Sequence, residues 1–139
     1  MISEKKKKSS VSKDFMAFVK AMWPEFIEGP HHKIIAQKFN DIAEGKIKRL
    51  IINMPPRHTK SEFASFLLPA WMVGRKPDLK IIQTTHTTEL ALRFGRKAKT
   101  LIDSPEYQKV FNTRLREDSQ AAGKWETEQG GEYYAAGVG

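Results

Sequence analysis

Leu50-Ile51-Ile52-Asn53-Met54-Pro55-Pro56-Arg57-His58-Thr59-Lys60-Ser61 is the stretch on which the reading of this chain turns. Its opening apolar run has the composition of a buried strand, and the Pro pair breaks it. Lys60-Ser61 then starts a second apolar segment, so the order is strand, tight loop, Lys-Ser, helix. That order suits a phosphate-binding loop. In such a loop the backbone N–H groups and the helix N-terminus face a triphosphate, a Lys reaches the β- and γ-phosphates, and a Ser hydroxyl ligates Mg²⁺. The strict pattern G-x-x-x-x-G-K-[ST] is not met, because Met54 and Thr59 stand at its two Gly positions.

Outward from the loop the pattern alternates between helix and strand. On the N-terminal side, Phe15, Phe18, Val19 and Met22 recur at helical spacing and Pro24 ends that helix. A second amphipathic helix is expected from about His31 to Glu44, with Ile34, Ile35, Phe39 and Ile42 as its stripe and Gly45 as its stop; residues 48–54 then form the first core strand. On the C-terminal side, the apolar residues from Ser61 to Val73 surround the helix, as expected of one buried behind a phosphate loop, and Gly74 caps it. Strand Leu79–Thr84 follows, then a helix from Glu89 to about Ile102 capped by Thr87 or Thr88. Ser104-Pro105-Glu106 reads as an N-cap with Pro at the first helical position. From residue 112 a polar loop leads to short β segments at Lys124–Thr127 and Glu132–Ala136. The expected fold class is α/β, an incomplete three-layer sandwich of the P-loop NTPase type with N-terminal helices. Residues 1–12 are expected to be a disordered basic tail and residues 13–139 a partial ATPase domain.

Composition narrows the classes. A chain of 139 residues supports one domain with a real core. Without cysteine there are no disulfides, thiolate metal sites or Cys nucleophiles. Phe63–Val73, the longest apolar stretch, falls short of the roughly 20 residues that a membrane span needs. No apolar leader region is present at the N-terminus, and an intracellular soluble protein is expected. A net charge of +8 suits a polyanionic partner such as DNA or ATP. Lys5–Lys8 reads either as a solvated tail or as a non-specific phosphate contact.

Met54–Glu62 closely resembles the deviant Walker A segment, P-P-R-H-G-K-S, of the large terminase subunit of tailed bacteriophages. Gly29-Pro30-His31-His32 before the loop and Lys80–His86 after it extend the resemblance. So do Arg93-Phe94-Gly95-Arg96, Tyr107–Phe111, and Trp125 ahead of Gly130-Gly131-Glu132-Tyr133-Tyr134. The resemblance implies an ATP- and Mg-dependent motor that packages double-stranded DNA into a capsid. It further implies a ring of several copies, a portal protein and a small terminase subunit as partners, the host cytoplasm as location, and no membrane. Two departures stand out. Thr59 replaces the Gly before the Lys, and its Cβ crowds a phosphate and disfavours positive φ. The sequence also stops at Gly137-Val138-Gly139, before the family's Walker B strand and nuclease domain, so a truncated or split product is expected.

The phosphate-side set is Pro56, Arg57, His58, Thr59, Lys60, Ser61 and Glu62. Lys60 would offset the charge that builds on the β- and γ-phosphates during transfer. Ser61 reads as the Mg²⁺ ligand or as a plain N-cap. The resemblance gives Arg57 a catalytic place on the γ-phosphate; contact with DNA or a neighbouring subunit is the other reading. His58 would contribute its backbone N–H, while Pro55 and Pro56 shape the turn without amides of their own. By resemblance, Gly29-Pro30-His31-His32 and Gln37 would contact adenine; as sequence they are equally a helix start with two polar His side chains and an exposed Gln. Thr84, Thr85 and His86 lie past the end of a strand, where open α/β sheets bind ligands. Arg93, Arg96, Lys97 and Lys99 read as a solvated face or a DNA track, and Trp125, Tyr133 and Tyr134 as core and sheet residues. None of the acids Glu62, Asp103, Glu117, Asp118, Glu126, Glu128 and Glu132 follows an apolar strand, so fast hydrolysis is not expected. The rival readings are a non-catalytic DNA- or partner-binding remnant and another, helicase-like P-loop motor.

Overall fold

Asp14 sets the geometry of the N-terminal part. In the computed structural model, which describes residues 10–54 and 61–138, its Oδ2 accepts the Ala17 N–H at 3.3 Å and caps α1 (Phe15–Met22). Its Oδ1 accepts from Asn40 Nδ2 at 2.9 Å, and Asn40 Oδ1 accepts the Phe15 N–H at 2.8 Å. One Asp and one Asn thus satisfy orphan donors at the start of α1 while tying it to α2 (Pro30–Ala43). Phe15, Phe18 and Val19 are fully buried, and Phe15 meets Phe39 edge-on with ring centroids 5.1 Å apart. Residues 10–13, of which 10–12 fall within the expected tail, are helical, and Val11 is buried.

The expected stripe on α2 is shifted. His32, Ile35, Ala36 and Phe39 are its buried residues, while Ile34 is 65% exposed. Gly45 ends the helix with φ +78°, a conformation open to glycine.

Residues 48–54, expected as the first core strand, are irregular and pair with no strand among the described residues. Ile51 is 86% exposed. A strand leaves its N–H and C=O groups to a neighbouring strand, and the four-stranded sheet takes none of its strands from this run.

The chain divides into two compact units, residues 1–60 and 61–139. The second opens with a helical stretch in two parts, a π-helix at Glu62–Leu67 and α3 at Leu68–Arg75. Pro69 accounts for the change of pitch. It has no N–H for the Ser65 carbonyl, and its ring would strike that carbonyl in a continuous α-helix. The chain widens instead, and the Leu68 N–H reaches the Phe63 carbonyl five residues back. Phe63, Leu67, Ala70, Trp71 and Val73 are all buried, as expected for a helix apolar on most sides. Gly74 is not the cap: it lies inside α3, whose C-cap is Lys76. A Cβ at Gly74 would come within 2.6 Å of the Phe111 ring and 2.7 Å of the Tyr107 hydroxyl, so glycine is there for close packing.

β1 (Lys80–Thr85), α4 (Thr88–Ile102) and α5 (Pro105–Gln108) follow close to expectation. Thr87 caps α4 through the Leu90 N–H at 3.2 Å, and Ser104 caps α5 through the Tyr107 N–H at 3.3 Å. β3 (Lys124–Thr127) and β4 (Glu132–Gly137) are the two expected β segments. β2 (Leu115–Ala121) was expected as loop. Its sequence Leu-Arg-Glu-Asp-Ser-Gln-Ala is poor in β-branched and aromatic residues, and it lies at a sheet edge where burial does not require them.

The sheet order is β1-β4-β3-β2, with β1 and β4 parallel and the other pairs antiparallel. The observed class is therefore mixed α/β. On the inner face Trp125 stacks on Tyr133 at 4.7 Å and donates its Nε1–H to the Gly95 carbonyl at 3.3 Å. Trp125 and Tyr133 are fully buried core residues as expected, whereas Tyr134 points outward and is 50% exposed beside Ile82.

Candidate phosphate loop and adjoining groove

Pro55, Pro56, Arg57, His58, Thr59 and Lys60 lie outside the described residues. What the structure gives is the chain on either side of them.

On the C-terminal side, Ser61 is exposed and already helical, with φ −71° and ψ −38°. Its hydroxyl makes no cap hydrogen bond, so the plain N-cap reading is not the one realised. Glu62, next in sequence, has its carboxylate held by Lys97 of α4, with Nζ 3.1 Å from Oε2 and 3.3 Å from Oε1. The same ammonium lies 5.5 Å above the centre of the Phe66 ring. Lys97 therefore grips two side chains of the π-helical segment, four residues apart.

On the N-terminal side, Leu50–Met54 and α2 enclose a groove of about 320 Å³. Its α2 wall is His31, Ile34, Ile35 and Lys38; the other wall is the run leading to Pro55. The lining is largely apolar with a cation among it, a composition that suits a flat heterocycle. The exposure of Ile34 and Ile51 belongs to this feature.

Of the residues expected at adenine, His31 lines the groove, whereas His32 and Gln37 do not. His32 is buried; its Nδ1 accepts the Gly29 N–H at 2.8 Å, and its own N–H donates to the Gly29 carbonyl at 3.1 Å. This reciprocal pair closes the start of α2, and Phe26 meets the His32 ring edge-on at 4.7 Å. Gln37 is exposed and donates to Asp41 Oδ1 at 3.3 Å, one turn along. Ile34 and Lys38, which line it together with His31, were missed. Their spacing of three and four residues puts them on one helix face, a signal present in the sequence.

Elsewhere the expected residues are separated. The Thr85 hydroxyl donates to the Thr87 carbonyl at 2.6 Å, a local bond at the entry to α4, while Thr84 and His86 are exposed. Arg93 and Arg96 are exposed along α4. Among the acids, Asp118 and Glu126 both pair with Arg116, at 2.7 and 3.0 Å. Among the described residues no group of three His, Cys, Asp or Glu could hold a metal ion. No helix among them is long and apolar enough to cross a membrane. Compared with family profiles, curated proteins and solved structures, the chain has no match.

Proposed function

We propose that this chain binds Mg-ATP through the loop that ends at Ser61, and that it is the N-terminal part of the ATPase domain of a phage DNA-packaging motor of the large-terminase kind. The observation that carries the reading is the sequence Met54–Glu62 running into a buried helix whose first residue, Ser61, has a hydroxyl engaged in no cap. Lys60 would bridge the β- and γ-phosphates, Ser61 would ligate Mg²⁺, and Arg57 would reach the γ-phosphate. Bound Mg²⁺ would supply charge neutralisation on the phosphate oxygens. The groove between α2 and Leu50–Met54 supports a place for the base, because one of its walls leads without interruption into the loop. His31, Ile34 and Lys38 would then contact the base, with His31 alone kept from the residues first given that part.

Calorimetric titration with Mg-ATP is the test. Binding in the parent and its loss in Lys60→Ala are expected; equal binding in both, or none in the parent, would remove the loop from the account. Turnover is expected to be slow, since none of the acids here stands behind an apolar strand. A second reading, a DNA-binding remnant without nucleotide, draws on the exposed Arg93 and Arg96. It calls for DNA affinity that falls steeply with salt and is indifferent to Lys60→Ala.

A further inference from the structure

The two edges of the sheet are built differently. β2, at one edge, has an irregular register between Leu115 and Gln120 and carries Arg116, Glu117 and Asp118 in succession. A register break and a run of charges are what keep an open strand from pairing further. β1, at the other edge, has neither. Its sequence Lys-Ile-Ile-Gln-Thr-Thr is rich in β-branched residues, runs in even register with β4, and carries one charge, at its first residue.

The Glu132 N–H donates to the Leu79 carbonyl at 3.1 Å, and the Val138 N–H to the Thr85 carbonyl at 2.9 Å. Backbone groups alternate sides along a strand. Leu79, Ile81, Gln83 and Thr85 therefore face β4, while Lys80, Ile82 and Thr84 turn their N–H and C=O groups outward. No strand among the described residues meets them. Their side chains share the outer face of the sheet, where Ile82 is 76% exposed beside Tyr134 at 50%.

We propose that this edge binds the same edge of a second copy, the two β1 strands running antiparallel about a two-fold axis at Ile82. That register sets Ile82 against Ile82 of the second copy and Lys80 against Thr84 of the second copy. Each pair exchanges two backbone bonds, so all the outward groups of both strands are satisfied, by about six bonds. The edge is complementary to itself. The axis keeps the two Lys80 side chains apart, so no like charges stand opposite each other. Exposed Asp78, ahead of the strand, comes to the end where the second copy carries exposed His86. On the outer face Ile82 and Tyr134 of both copies join across the axis into one apolar strip.

The chain has no cysteine, so single substitutions to cysteine report the register. Across the axis the two Cα atoms at position 82 would stand about 5.5 Å apart, within disulfide reach. At position 84 they would stand roughly 14 Å apart, which is too far. With diamide as oxidant, Ile82→Cys is expected to form a disulfide-linked dimer at least about tenfold faster than Thr84→Cys. The same margin is expected over Ile51→Cys, at an exposed position outside the sheet. In sedimentation the parent is expected to dimerise with a Kd of about 100 µM, as for a contact at the small end of interface size. Ile82→Pro removes an outward N–H without touching the β4 ladder and is expected to abolish the dimer. Ile82→Lys, which sets like charges on the axis, gives the same loss should Ile82→Pro fail to fold. A parent still monomeric at about 1 mM, a dimer that survives Ile82→Pro and Ile82→Lys, or equal cross-linking at the three cysteine positions would overturn the proposal.

Discussion

The two flanks of the Pro-rich loop have similar apolar content and opposite fates. Behind it, Phe63, Leu67 and Trp71 are at most 1% exposed in a continuous helical stretch. Ahead of it, Leu50-Ile51-Ile52 stays irregular, with Ile51 86% exposed. The difference lies in where the backbone finds its hydrogen bonds. A helix satisfies its N–H and C=O groups within itself, and Pro69 costs it only a local widening to π pitch. A strand depends on a neighbour, and hydrophobicity does not supply one. Apolar runs of equal strength are therefore unequal evidence for structure.

The buried flank yields the largest expected effect. Trp71→Ala should cost about 3–5 kcal/mol in urea unfolding, since a fully buried indole leaves a cavity that the helix cannot close. A cost under about 1 kcal/mol would mean that the stretch behind the loop is not packed in solution. The sheet of the same unit sharpens the point through pH. Burial raises the Tyr133 hydroxyl from 10.0 to about 12, and burial likewise raises Tyr107. The unfolded chain then loses these protons first as the solution becomes alkaline. Stability should be level below about pH 10, decline as pH rises toward 12, and be lost in this part above it. The Tyr133 hydroxyl has no hydrogen-bond partner among the described residues, so Tyr133→Phe should soften the decline at little cost in neutral solution. A decline already complete by pH 9 would contradict the burial. The open flank gives the smallest effect: Ile51→Ser should change unfolding free energy by no more than about 0.5 kcal/mol. A loss above about 2 kcal/mol would show that the run is packed after all.

What could be read from the sequence was set by local chemistry. Thr87 and Ser104 cap the helices expected of them because a hydroxyl and a backbone N–H a few residues apart suffice. β1, β3 and β4 carry the β-branched and aromatic residues that mark strands. The failures involve partners distant in sequence. β2 is polar and is held by a neighbouring strand; Leu50-Ile51-Ile52 is apolar and joins no strand among the described residues. Gly74 had the look of a helix stop, but Phe111 and Tyr107, more than thirty positions on, decide its role. The same holds for the site. Lys60-Ser61 is legible as a motif, whereas the Lys97 grip on Glu62 joins residues 35 positions apart. His32 was read by resemblance as an adenine contact, and its ring nitrogen instead closes the turn at Gly29.

The most direct measurement is residue-by-residue amide chemical shifts recorded by NMR while Mg-ATP is added. The account expects the largest changes at residues 57–62, with a second set at His31, Ile34 and Lys38 along the groove. Saturable changes confined to α4, or no change at Lys60 and Ser61 at millimolar nucleotide, would contradict it.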